Sequence, residues 1–269
     1  MKLGITVSTF PTSFGPIVYR GGQLDDTLRQ VRDLGYTGVD LFVDATATAR
    51  AESIRRGFQA VGMEVAMMLA IALAEKGVSL STTDAEKRQW SIKEFLGQLE
   101  NAPRLGAARM ALGFIRGRLE DGDTLKANAD RLADSLGQIL PRAEALGVTI
   151  CLEPINRYEM NTFNDVASSL AFVRRIGSGN LKLLLDAFHM NIEDASIEGS
   201  IRAAGSHIGH FHSPDSNRRA PGWGHLDYDA IIPALHDAGY DDYLMLEAFP
   251  EPDADSCARQ GAAFLGRYL

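Results

Sequence analysis

Apolar residues recur along the chain in two alternating rhythms. Short runs rich in Val, Ile, Leu and Met, with little polar alternation, read as strands covered on both faces: Lys2–Ser8, Gly38–Val43, Glu64–Ile71, Ala108–Phe114, Thr149–Pro154, Leu181–Asp186, His207–Ser213 and Tyr243–Phe249. Between and after them lie amphipathic stretches that read as helices: Asp26–Leu34, Thr48–Val61, Asp84–Leu105, Leu125–Leu146, Asn164–Ile176, Ser196–Ala204, Tyr228–Ala238 and Asp255–Leu269. Each helix-to-strand junction carries an apolar residue followed by glycine: Leu34-Gly35, Val61-Gly62, Leu105-Gly106, Leu146-Gly147, Ile176-Gly177, Ala204-Gly205 and Ala238-Gly239. Glycine just past a helix adopts the left-handed conformation that closes the last turn, so each pair marks a helix end before a strand. The junctions are spaced by about 34 residues, the length of one strand, one helix and two loops.

Strict strand–helix alternation through eight units predicts a closed (β/α)8 TIM barrel, and no proline-rich or low-complexity linker divides residues 1–269, which read as one domain. An open doubly wound sheet is the alternative. Against it, the first strand is followed by Phe10-Pro11-Thr12-Ser13-Phe14-Gly15 rather than a glycine-rich phosphate loop. The 45% hydrophobic content supports a sizeable core, while two cysteines cannot build a disulfide framework. With 35 acidic against 27 basic side chains and a net charge of −8, nucleic acid is not an expected partner. No apolar run is long enough to span a bilayer, and Met1-Lys2-Leu3-Gly4 leads straight into the first strand. The expectation is a cytoplasmic protein with no membrane partner.

In such a barrel the working face is formed by the C-terminal strand ends and the loops after them. The last four strands each end on one polar residue: Glu153 after Cys151-Leu152, Asp186 after Leu185, His212 after Phe211 and Glu247 after Leu246. Three carboxylates gathered at one height would repel and be costly to bury unpaired, and a shared cation resolves that repulsion. The set is rich in oxygen, which suits Mn2+ first, with Mg2+ or Co2+ as alternatives, rather than structural zinc. His210 shares a strand face with His212 one layer deeper and reads as a hydrogen-bonded supporting histidine. Cys151 has no base at nucleophile spacing and reads as a buried apolar residue.

The segments Leu152-Glu153-Pro154-Ile155-Asn156-Arg157-Tyr158-Glu159, Asp186-Ala187-Phe188-His189-Met190-Asn191, His210-Phe211-His212 with Asp215-Ser216-Asn217-Arg218, and Pro221-Gly222-Trp223-Gly224-His225 resemble the sugar isomerase/epimerase family. Within that family, built on the xylose isomerase-like barrel, they are most similar to the ketose 3-epimerase group typified by D-tagatose 3-epimerase. The resemblance implies that Glu153, Asp186, His212 and Glu247 hold a divalent metal and that Glu153 and Glu247 form the acid–base pair. It further implies that Glu159, His189 and Arg218 contact substrate oxygens, and that the chain assembles as a homodimer or homotetramer. The implied reaction inverts a hydroxyl-bearing carbon beside the carbonyl of a small sugar. An aldose–ketose or hydroxypyruvate-type isomerase of the same superfamily is the alternative.

The loop Gly113-Phe114-Ile115-Arg116-Gly117-Arg118 presents two arginines, whose forked donors suit a carboxylate. Together with its similarity to members acting on keto-acid sugars, such as 5-keto-L-gluconate epimerase, this points to Arg116 and Arg118 as contacts for an acidic ketose. Several positions depart from the family pattern, among them Ala187, Ser213-Pro214, Phe42-Val43-Asp44 and Met67-Met68-Leu69-Ala70, and these shape the pocket.

Overall fold

A computed structural model describes residues 1–13 and 15–269, so Phe14 of the first loop lies outside the described residues. The eight barrel strands are β1 (Lys2–Ser8), β2 (Gly38–Phe42), β3 (Glu64–Leu69), β4 (Arg109–Leu112), β5 (Thr149–Leu152), β6 (Leu181–Asp186), β7 (Ile208–His212) and β8 (Tyr243–Leu246). All pair in parallel with their sequence neighbours. The cylinder closes where β1 meets β8, with Lys2 opposite Tyr243 and Ile5 opposite Leu246. Above Leu246 the pairing with β1 passes to a two-residue strand, Tyr19–Arg20, which sets Tyr19 beside Val7. The sequence pattern did not reveal this short strand, because two residues carry no periodicity.

All seven junction glycines have positive φ, from 52° at Gly205 to 96° at Gly35. At the opposite ends of the helices, Asp44, Asp84, Thr124, Asp165, Ser196, Asp227 and Asp253 each accept a hydrogen bond from a first-turn backbone N–H. The predicted helix Asp84–Leu105 breaks into Ala85–Leu99 and Asn101–Leu105. Pro103 accounts for the break, since its ring has no N–H to donate and crowds the carbonyl four residues earlier. The third strand stops at Leu69 rather than Ile71, and Ile71–Glu75 forms a short helix instead. A second short helix, Ala187–Glu193, follows β6 directly because the Asp186 carboxylate caps it.

The main apolar core lies between sheet and helices, and includes Leu28, Phe95, Leu136, Leu170 and Leu235. Inside the barrel, residues two apart on a strand share a face. Phe42, Met67, Leu69, Ala111, Cys151 and Leu184 pack there as a second cluster. The barrel floor is filled by Tyr243, whose ring comes within 2.3 Å of where a Cβ at Gly38 would sit, so β2 must begin with glycine.

Candidate metal and substrate site

The C-terminal ends of β5 to β8 bring four side chains together. Glu153 follows β5, its N–H donating to the Leu112 carbonyl at 3.2 Å, and Glu247 follows β8. Asp186 and His212 are the last residues of β6 and β7. One ligand atom from each of the four lies within 4.8 Å of the others, and all four residues are buried. His212 Nδ1 is 3.2 Å from Glu247 Oε2 and 3.7 Å from Asp186 Oδ2. Asp186 divides its work: Oδ1 accepts from the Phe188 N–H at 2.7 Å, while Oδ2 has no hydrogen-bond partner. His212 Nδ1 likewise lacks one. Two buried, unpartnered donor atoms beside two further carboxylates fit a divalent cation, because burying such atoms unsatisfied is costly.

The electrostatics of the cluster agree with that fit. Burial, reinforced by the Glu247 charge, pushes the Glu153 carboxyl up to about 8. Burial acts in the same direction on Asp186, but the neighbouring His189, His212 and Arg218 outweigh it and hold that carboxyl well below the usual range. Burial works against a charged His212, yet Glu247, Asp186 and Asp40 together hold its imidazole well above its ordinary value. The cluster thus keeps protons where a metal would supply positive charge.

Beside it lies a cavity of about 420 Å³ reaching Glu153, Glu159, His189, Arg218 and Glu247. Its polar side chains come from the loops and strand ends after β5 to β8. The opposite wall, from β2 to β4 and the loops that follow, contributes Phe42, Leu69, Ile71, Ala111, Phe114 and Ile115. Arg218 adopts a left-handed backbone conformation, φ 59°, unusual for a residue with a side chain. The turn is held by Asp215, whose carbonyl accepts the Arg218 N–H at 2.8 Å and whose carboxylate accepts the N–H groups of Ser216, Gly222 and Leu226. The guanidinium packs over the Phe188 ring at 4.8 Å and donates to Glu159 Oε1 at 2.8 Å.

Burial pushes the His189 imidazole down to about 4, against the pull of Asp186 and with the help of the Arg218 charge. Its tautomer follows from Asn156. The Asn156 carbonyl oxygen accepts the Tyr158 N–H, so its amide nitrogen faces both Glu159 Oε1 and His189 Nδ1, the latter at 2.8 Å. Nδ1 therefore accepts and Nε2 carries the hydrogen. Nε2 lies 3.3 Å from Arg218 Nη2 and 3.6 Å from Glu153 Oε1. Two donors side by side at the cavity wall favour an oxygen that gains negative charge.

The two arginines after β4 do not reach the cavity. Arg116 is fully buried and donates to the backbone carbonyls of Gly113, Thr162 and Phe163, so it braces one loop against another. Burial pushes its guanidinium down to about 10. Arg118 is exposed and donates to the Glu159 carbonyl. Gly117 between them has φ 97°, and a Cβ there would meet Ser81 Oγ at 2.3 Å, so tight packing rather than ligand reach sets this loop. Arg157 pairs with Glu193, leaving Glu159 to Arg218. His225 bonds to Ser216 within its own exposed loop. His210 does not join the ligand cluster: its Nε2 bonds to Asp40 Oδ2 at 2.8 Å. Asp40 itself escaped sequence reasoning, because one acid within an apolar strand carries no spacing signal. Asn156 lay within a recognisable motif without a role that the sequence could assign.

A family model described as xylose isomerase-like TIM barrel matches residues 28–268. Among curated proteins, the chain is 32% identical over 240 residues to L-ribulose 3-epimerase of Mesorhizobium japonicum, covering 87% of this chain and 78% of that one. It is 41% identical over 124 residues to D-psicose 3-epimerase of Ruminiclostridium cellulolyticum, a match covering 46% of this chain and only 42% of that relative's length. A solved structure of L-ribulose 3-epimerase superposes with TM-score 0.86 at 28% identity, covering 100% of this chain and 95% of the other.

Proposed function

Because the chain belongs to the xylose isomerase-like TIM barrel family, we propose that it is a metal-dependent ketose epimerase that inverts a hydroxyl-bearing carbon next to the carbonyl. The observation that carries this reading is the four-residue cluster with its two unpartnered donor atoms, flanked by two glutamates that also line the cavity. Names borne by relatives, D-psicose 3-epimerase and L-ribulose 3-epimerase, support the substrate class.

Glu153, Asp186, His212 and Glu247 would hold the cation, with Mn2+ first and Mg2+ or Co2+ as alternatives given the oxygen-rich donor set. When bound, a divalent cation polarises the carbonyl and acidifies the neighbouring C–H. Of the two glutamates, one removes the proton from one face of that carbon and the other returns a proton from the opposite face, which inverts it. Arg218 and the Nε2–H of His189 stabilise the enediolate oxygens as charge develops. Glu159 holds Arg218 in place and accepts from a substrate hydroxyl. The apolar wall from the first half of the barrel excludes water and offers no cation, so a neutral ketose suits the cavity better than a keto acid.

One domain over residues 1–269, a cytoplasmic location and a homodimeric or homotetrameric state complete the reading. The two free, buried cysteines are in keeping with that location, and among the described residues no helix is long and apolar enough to cross a membrane. The test is replacement of each glutamate. Glu153→Gln and Glu247→Gln, loaded with Mn2+, should each lose epimerisation of D-psicose and L-ribulose by at least about 10²-fold. Wild-type turnover in either variant would remove the acid–base assignment.

A further inference from the structure

Asp40 stands on β2, two positions before the cavity-lining Phe42 and on the same strand face. It is fully buried. Its Oδ2 contacts Nε2 of His212 at 3.0 Å and Nε2 of His210 at 2.8 Å. An ionised carboxylate only accepts, so both imidazoles carry their hydrogen on Nε2 in these contacts. For His212 this leaves Nδ1 as the atom that faces Glu247 Oε2 and Asp186 Oδ2, without a hydrogen-bond partner. We infer that Asp40 is the positioning residue of the metal centre: by holding the Nε2 hydrogen it fixes the ring of His212 and makes Nδ1 the ligating atom.

The inference rests on the proposed metal centre. It is distinct from that proposal because Asp40 does not line the cavity and bonds to the two histidines rather than to a carboxylate ligand. A carboxylate behind a ligating imidazole orients the ring and raises its basicity, and removing such a partner typically weakens metal affinity about 10–100-fold. His210 is the second donor to the same oxygen, and its ring meets that of His212 edge-on with centroids 5.5 Å apart. Asp40, His210 and His212 also form a compact group of metal-binding residue types. Here, however, the two nitrogens address one oxygen at hydrogen-bond distances, which favours a hydrogen-bonded support over a second cation.

Mn2+ titrated calorimetrically into metal-free wild type and into folded Asp40→Asn tests this directly. The variant keeps the shape and loses the charge. The expected result is one ion per chain in both proteins, with the dissociation constant raised about 10–100-fold in the variant. Unchanged affinity in Asp40→Asn, or two ions per chain in wild type, would overturn the inference. A wild-type protein that binds no Mn2+ would overturn the metal centre itself and this inference with it. Should Asp40→Asn fail to fold, 15N NMR of the wild-type histidines with Zn2+, assigned through His210→Gln, decides the matter. A shift of His212 Nδ1 with Nε2 still protonated supports the inference, and ligation through Nε2 overturns it.

Discussion

Arg218 Nη1 donates to Glu159 Oε1 at 2.8 Å, tying the loop after β7 to the loop after β5. The two residues are 59 positions apart in sequence, and each is anchored within its own loop. Asp215 holds Arg218 in its left-handed turn, and Asn156 holds Glu159 through its amide.

Arg218→Lys removes the fork that donates to Glu159 and stacks on Phe188, so it is not a conservative change. A charged hydrogen bond contributes about 1.5–3 kcal/mol, so kcat/KM for the ketose should fall about 10–100-fold. Steady-state kinetics on a variant with an unchanged circular dichroism spectrum checks this.

Asn156→Ala releases Nδ1 of His189 and lets the ring exchange tautomers. Since the donor at Nε2 serves the developing oxyanion rather than the bound ground state, kcat should fall by more than KM rises. A change confined to KM would place His189 in binding alone.

Glu153, pushed up to about 8, holds a proton at pH 6–7 in the metal-free chain and must release it to a cation. Mn2+ affinity should therefore climb from pH 6 to 8, with proton release detectable in buffers of different ionisation enthalpy. The metal-free fold shows the opposite trend. With a folded pKa above the unfolded one, the native state binds more protons than the unfolded state between the ordinary carboxylate value and about 8. That contribution to stability is present at low pH and lost as pH rises through this window. Thermal unfolding of metal-free and Mn2+-loaded protein at pH 6 and 8.5 should show the two trends diverge.

Arg116→Leu leaves the Thr162 carbonyl and its neighbours without their buried donor. Each buried group left unsatisfied costs about 1–3 kcal/mol, so denaturant unfolding should reveal a loss on that scale. The ratio of kcat/KM for a keto acid to that for a neutral ketose should stay constant, because Arg116 does not reach the cavity. A selective loss on the keto acid would restore a carboxylate contact.

The barrel was legible from junction glycines and strand runs, since both are local: all seven glycines stand where the backbone takes a positive φ. Glu153, Asp186, His212 and Glu247 were legible because each ends an apolar strand, and strand ends in a barrel converge. Arg116 misled because two arginines around a glycine read as an open fork. Gly117 instead packs against Ser79 and Ser81, and Arg116 turns inward to backbone carbonyls that sequence spacing cannot locate. Asp40 and His210 were separated by 170 residues, and only closure of the barrel brings them together.

The proposed epimerisation requires proton exchange at one carbon beside the carbonyl. Mn2+-loaded protein incubated with D-psicose and with L-ribulose in deuterated water, followed by NMR, measures it directly. The expected result is deuterium at C3 alone, appearing together with the C3 epimer. Hydrogen transfer between C1 and C2 with an aldose product, or no exchange at C3, would contradict it.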